Sequence, residues 1–125
     1  ELALGYQHMC AIASDNKAYC WGTGYSNQIG TGTAGLFTTP QAVNTTGALS
    51  GKNLKKIYAG LQQSCVIDTD DLSYCWGQLG VGNSSGFSAT PAATERPGTL
   101  AGKTFQDMYL GYKTSCAMMS DLNIY

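Results

Sequence analysis

The residues of this chain whose chemistry depends on spacing are its five cysteines and its single histidine. Cys10 and Cys20 stand ten apart, as do Cys65 and Cys75, and each second member sits in the same tetrapeptide, Tyr-Cys-Trp-Gly. Such pairs suit a disulfide or a shared metal ion. Zinc sites usually bring cysteines in as tight C-x₂₋₄-C pairs, whereas nine residues intervene here. Disulfides are therefore the favoured reading. Free structural thiols, or a zinc site completed by His8, are the competing ones. Cys116 is left without a partner.

A disulfide needs an element that brings its two cysteines face to face. "HMCAIA" and "SCVIDT" are short runs of small, β-branched and apolar residues. A polar turn follows each, "SDN" or "TDD", and then a second short run, "KAYCWG" or "LSYCWG". This is the pattern of a β-hairpin. Antiparallel pairing about the first turn sets Cys10 opposite Cys20, and pairing about Asp70 sets Cys65 opposite Cys75. Opposed Cα atoms in such a ladder lie roughly 4.5–5.5 Å apart, inside the roughly 4.4–6.8 Å range of disulfides.

The hairpins belong to a repeat. "LALGYQHMCAIASDNKAYCWG" (2–22), "IYAGLQQSCVIDTDDLSYCWG" (57–77) and "MYLGYKTSCAMMSDLNIY" (108–125) align without gaps. They match at Gly5, Gly60 and Gly111, at Cys10, Cys65 and Cys116, at Asp15, Asp70 and Asp121, and at Tyr19, Tyr74 and Tyr125. Thr39-Pro40 recurs as Thr90-Pro91, and the Gly-rich 28–33 as 78–83. A period of 51 to 55 residues is that of propellers and arrays. Hairpin units at 2–23, 57–78 and 108–125, with connections 24–56 and 79–107, define an all-β chain of two complete hairpin units and a partial third. After Tyr125 the repeat would continue Cys-Trp-Gly, so further blades are expected from the same parent chain or from other copies. The shorter second loop also leaves open whether the junction at residues 77–78 is natural.

Composition narrows the function. Glycine is abundant and only 12% of residues are charged, with a net charge of −1 and no basic stripe, which argues against nucleic acid. No apolar run approaches a membrane span. His8 has no nucleophile arranged beside it, so it reads as a packed histidine; its equivalents are Gln63 and Thr114. Trp21 and Trp76 recur at one place in the unit, as blade packing requires, and are read so before any sugar-stacking role. The turn aspartates read as turn formers; the run 68–71 lacks the spacing of a calcium loop. Asn44-Thr45-Thr46 and Asn83-Ser84-Ser85 match the glycosylation pattern.

Gly5 followed by His8, then Tyr19-Cys20-Trp21-Gly22, then Gln28-Ile29-Gly30 and Gly32, resembles the repeat of the regulator of chromosome condensation family. The second copy carries Gly60, Tyr74 to Gly77, Gln78-Leu79-Gly80 and Gly82. The resemblance implies four-stranded blades of a seven-bladed β-propeller, with Gly5, Trp21, Gly22, Gly60, Trp76, Gly77 and Gly111 as its structural motif. The cysteine pairs are a departure that resembles secreted and surface bacterial versions, since disulfides persist in oxidising compartments.

The expectation is then a non-catalytic protein with no cofactor and no bound metal, located outside the cell or on its surface. It would bind a protein partner through propeller-rim loops that carry Tyr25, Phe37, Phe87 and Arg96. A structural subunit assembling into a ring or filament is the alternative. A sugar-binding propeller and a guanine-nucleotide exchange factor fit less well.

Overall fold

The computed structural model describes residues 1–79, 86–96, 98–112 and 114–125. Gly80, Gly82, and the Asn83-Ser84-Ser85 acceptor lie outside them. Strands β1 (Leu2–Leu4), β2 (His8–Ile12), β3 (Ala18–Thr23) and β4 (Leu36–Ala42) form one antiparallel sheet in chain order. Strands β5 (Leu54–Ala59), β6 (Gln63–Asp68), β7 (Ser73–Gly77) and β8 (Ser88–Ala93) form a second of the same topology. A short 3₁₀ turn, Gly98–Leu100, leads to the hairpin of β9 (Phe105–Leu110) and β10 (Ser115–Met119).

The repeating unit is thus a four-stranded sheet, and the hairpin read from the sequence is its middle. The stretches 24–56 and 79–107, expected to be connections, contain β4 and β8 and the first residues of β5 and β9. Their burial is shallow, so they lack the apolar alternation that marks a strand. Phe37, expected in a rim loop, lies in β4 and packs half-buried against the core.

Alternation along the central strands builds two cores, because successive side chains point to opposite faces. Val66, Tyr74 and Trp76 of the second sheet turn towards the first and meet Cys10, Cys20 and Ile29. Cys65 and Ile67 turn the other way and meet Phe105, Met108 and Met119. Strand β6 is therefore buried at every residue, while β2 and β10 are covered on one face only. Its sequence, Gln-Ser-Cys-Val-Ile-Asp, hides this double burial behind three polar residues.

Both cysteine pairs sit directly opposite in their ladders and are disulfide-bonded, with Cα atoms 4.1 Å apart in each. The pairing of β3 with β4 shifts register between Cys20 and Gly22, and that of β7 with β8 between Cys75 and Gly77. Each shift falls at a tryptophan. The glycine after it takes a left-handed φ, +88° at Gly77, where a Cβ would stand 2.4 Å from the Gln62 carbonyl oxygen. Only glycine closes this bulge.

The hairpin turns repeat with one exchange of roles. Asp15 accepts from the Lys17 amide (3.0 Å) and the Tyr19 hydroxyl (2.7 Å), and Asp121 does the same for Asn123 and Tyr125. In the second sheet, Asp68 takes this part instead of Asp70, accepting from the Asp70 and Leu72 amides and the Tyr74 hydroxyl. One residue per turn is left-handed, namely Asn16, Asp71 and Leu122 at φ of 59°, 62° and 63°. Leucine is the poor choice among them, because its Cβ crowds the backbone there. Leu122→Asn is expected to raise stability by about 0.5–1 kcal/mol, read as a higher urea midpoint.

Candidate functional site

Register decides which segments share an end of the sheets. Leu4 pairs with Met9, His8 with Gly22 and Thr23 with Leu36, so the turn 5–7 and the loop 24–35 emerge at one end. By the same pairing the turn at 60–62, Gly111 and Tyr112 after β9, and Phe87 before β8 lie there too. The opposite end carries the hairpin turns 13–17, 69–72 and 120–123 and the connecting residues 43–53, 94–96 and 98–104. Tyr25 and Phe87 therefore share one end, with β4 bringing Phe37 near it. Arg96 belongs to the other end, where its Nη1 donates to the Lys103 carbonyl (2.6 Å) within its own connection. The four candidate contact residues do not form one surface.

Charge divides along the same line. The segments of the hairpin-turn end hold Asp15, Lys17, Lys52, Asp70, Asp71, Glu95, Arg96, Lys103 and Asp121. The described residues in the segments of the other end include no charged one. At the charged end the groups are largely spent on one another. Lys52 reaches Asp70 at 3.2 Å and Asp68 at 3.4 Å, Lys103 reaches Asp121 at 2.8 Å, and Lys55 pairs with Asp71. The Asp70 and Asp68 carboxylates push the Lys52 ammonium up to about 12. Bonds from Lys103 and Tyr125 hold the Asp121 carboxyl far below the usual carboxylate range.

At the uncharged end, aromatic rings stand in solvent. Tyr6 is 75% exposed, Tyr112 70%, Tyr25 69% and Phe87 47%. The inner edge of this end is a cleft of about 290 Å³ lined by three equivalent triplets, Leu4-Gly5-Tyr6, Ala59-Gly60-Leu61 and Leu110-Gly111-Tyr112. The first strand of each sheet supplies one triplet. The glycines let the sheets approach, since a Cβ on Gly5 would lie 2.5 Å from the Gly60 carbonyl oxygen. That oxygen instead accepts the Tyr6 amide at 3.1 Å. The sequence reading recognised the glycines but missed Tyr6, Leu61 and Tyr112. The signal that could have found them is the repetition of large apolar residues directly after each motif glycine.

Beneath this edge, His8 is buried and its Nε2 lies 2.8 Å from the Ser64 hydroxyl. Ser64 Oγ and Trp76 Nε1 both donate to the Gln28 carbonyl, each at 2.8 Å. Those two bonds fill the carbonyl's lone pairs and lock the first sheet's loop to the second sheet. Ser115 donates to Gln63 Oε1 at 3.2 Å at the corresponding place between the second sheet and the third hairpin. The contact of His8 is thus repeated with a residue that does not titrate. Trp76 is fully buried between sheets, whereas Trp21 is half-buried. Of the cysteines, Cys116 is free and exposed.

Burial lowers the His8 pKa to about 4. The folded state then holds it neutral while the unfolded chain takes up a proton below about 6.5. Stability contributed this way is full above pH 6.5 and is lost as pH falls towards the folded value. A loss of about 2 kcal/mol is expected between about pH 6 and about pH 4.5. His8→Gln, the residue the second sheet uses, is expected to flatten urea midpoints over that window.

Four-stranded antiparallel sheets stacked face to face, with first strands lining a common inner edge, are blades of a β-propeller. Residues 1–28 match the regulator of chromosome condensation (RCC1) repeat. RCC1 domain-containing protein 1 of Mus musculus is 33% identical over 92 residues, 73% of this chain and 22% of the mouse protein. Human WBSCR16 superposes with a TM-score of 0.82 at 18% identity, over 99% of this chain and 31% of that one. Prp20p of Saccharomyces cerevisiae does so with a TM-score of 0.80, also at 18% identity, over 99% and 31%. The repeats of this chain are of the RCC1 type, folded as propeller blades. It spans less than a third of the length of each of these relatives.

Proposed function

We propose that this protein is a non-catalytic interaction scaffold, working outside the cell or at its surface, which binds a protein partner through the uncharged loop end of its blades. One observation carries the reading. That end exposes Tyr6, Tyr25, Phe87 and Tyr112 and no charged side chain among the described residues. Interface cores are depleted of charge and enriched in such rings. The solved relative Prp20p is described with binding properties to Gsp1p and histones, which supports a partner-binding role for the fold. The net charge of −1 gives no electrostatic footprint for nucleic acid. His8 is enclosed and bonded to Ser64, which supports a packing role over a catalytic one.

The compartment rests on the two disulfides, which survive where thiols are not kept reduced. Alkylation of protein taken from its native source, unfolded without reductant, is expected to label Cys116 alone among the five cysteines, and all five after reduction. Labelling of all five without reductant overturns the compartment. The binding reading is tested with a Tyr6→Ser, Tyr25→Ser, Phe87→Ser protein beside the wild type, using cell-surface proteins cross-linked to it. Partners lost from the variant support the loop end; unchanged partners overturn it.

A further inference from the structure

We propose that Asn44 is a glycosylation site, carrying an N-linked oligosaccharide on its side-chain nitrogen at the end of the sheets away from the aromatic loops. The inference rests on the extracellular reading above and adds a modification made on the route to that compartment. Asn44-Thr45-Thr46 and Asn83-Ser84-Ser85 are the acceptor tripeptides of the chain, and the second lies outside the described residues. At the first, hydrogen bonding decides which atom faces outwards. Asn44 Oδ1 accepts from the Thr46 amide and from the Thr46 hydroxyl, both at 3.0 Å. A backbone amide can only donate, so the atom it meets is the oxygen and the other is Nδ2. Nδ2 has no hydrogen-bond partner among the described residues, and it is not buried. The atom that takes the sugar is the one left open.

The surroundings leave room for a glycan. Val43 and Leu49, each 2% exposed, anchor the segment on either side. The Val43 amide donates to the Ala18 carbonyl and the Asn44 amide to the Gly30 carbonyl, each at 3.0 Å, which fixes the backbone beneath the side chain. Residues 45–48 are exposed and belong to no strand. A Cβ added at Gly47 would meet nothing within 4 Å. A transferase therefore reaches the tripeptide without parting a sheet. Attachment forms a bond from Nδ2 to C1 of the sugar and breaks the bond from C1 to the pyrophosphate of a lipid carrier. The pyrophosphate keeps the electron pair of that bond, and Nδ2 gives up one proton. A bulky, hydrated chain at this place covers the connecting residues 43–53 and leaves the aromatic end free for a partner.

The test is peptide mapping of protein taken from its native source and treated with peptide N-glycosidase in ¹⁸O water, which converts a glycosylated asparagine to labelled aspartate. Trypsin separates the two tripeptides, because Lys52, Lys55 and Lys56 lie between them. Label is expected on the peptide of Asn44, and release is expected from the folded protein without denaturant. In protein secreted from cultured animal cells, Asn44→Gln and Thr46→Ala are expected to lose the label. Thr45→Ala, which keeps the acceptor pattern, is expected to retain it. Intact disulfides with Asn44 unlabelled, or label on the Asn83 peptide alone, would sink the inference and leave the compartment reading standing. Five free cysteines and no label would sink both. Release only after unfolding would overturn the outward placement of Nδ2. Label that persists in Thr46→Ala would overturn the inference in favour of spontaneous deamidation.

Discussion

Reduction of both disulfides is expected to lower the stability of this protein by about 5 kcal/mol in total. Each bond closes a loop between residues ten apart, worth just under 3 kcal/mol of restricted unfolded-chain entropy. The two are not equally accessible. Cys10 and Cys20 are fully buried between blades, whereas Cys75 is half-buried beside its buried partner Cys65. Thiol exchange requires access to a sulfur, so the 65–75 bond is expected to open first in native buffer. The 10–20 bond waits for the blades to part. Urea midpoints with and without reductant measure the first expectation, and time-resolved alkylation with peptide mapping measures the order.

Trp76→Ala is expected to cost about 3–5 kcal/mol, the range for truncating a fully buried tryptophan. Trp76 is 0% exposed and lies against Gly30, where an added Cβ would come within 2.6 Å of the indole nitrogen. The substitution empties that contact and removes one of two donors to the Gln28 carbonyl. Trp76→Phe keeps most of the ring and leaves Ser64 on that carbonyl, so a cost of about 1–2 kcal/mol is expected. Trp21→Ala is expected to cost less than Trp76→Ala, because Trp21 is half-buried. Comparable losses at both positions would mean that the indole acts within its own sheet. Urea unfolding of the three variants checks the order.

Much of the fold was legible because it is written three times. The matched glycines, cysteines and tyrosines fixed the hairpin register, and opposition of Cys10 to Cys20 followed from it. The outer strands were not legible. Strand β4 reads Leu-Phe-Thr-Thr-Pro-Gln-Ala, with a proline and mostly exposed residues, as an edge strand permits. The exchange of Asp70 for Asp68 was hidden because the two stand one strand period apart in the same acidic run. The cleft was hidden for another reason. Its residues are far apart in sequence, and what joins them is the stacking of blades, which no single repeat displays. Arg96 was grouped with the aromatic candidates on composition, although topology places it at the other end of the sheets.

The two sides of each sheet are unlike. The second blade turns its tryptophan towards one neighbour and its disulfide towards the other. Contacts of this kind are heterologous and head-to-tail, so the array has a polarity and two equal sides cannot meet about a twofold axis. A tandem duplication of one period, anywhere in the array, would carry both halves of the new junction with it. Growth by gene duplication therefore needs no invention of a new interface, only a copy of the old one.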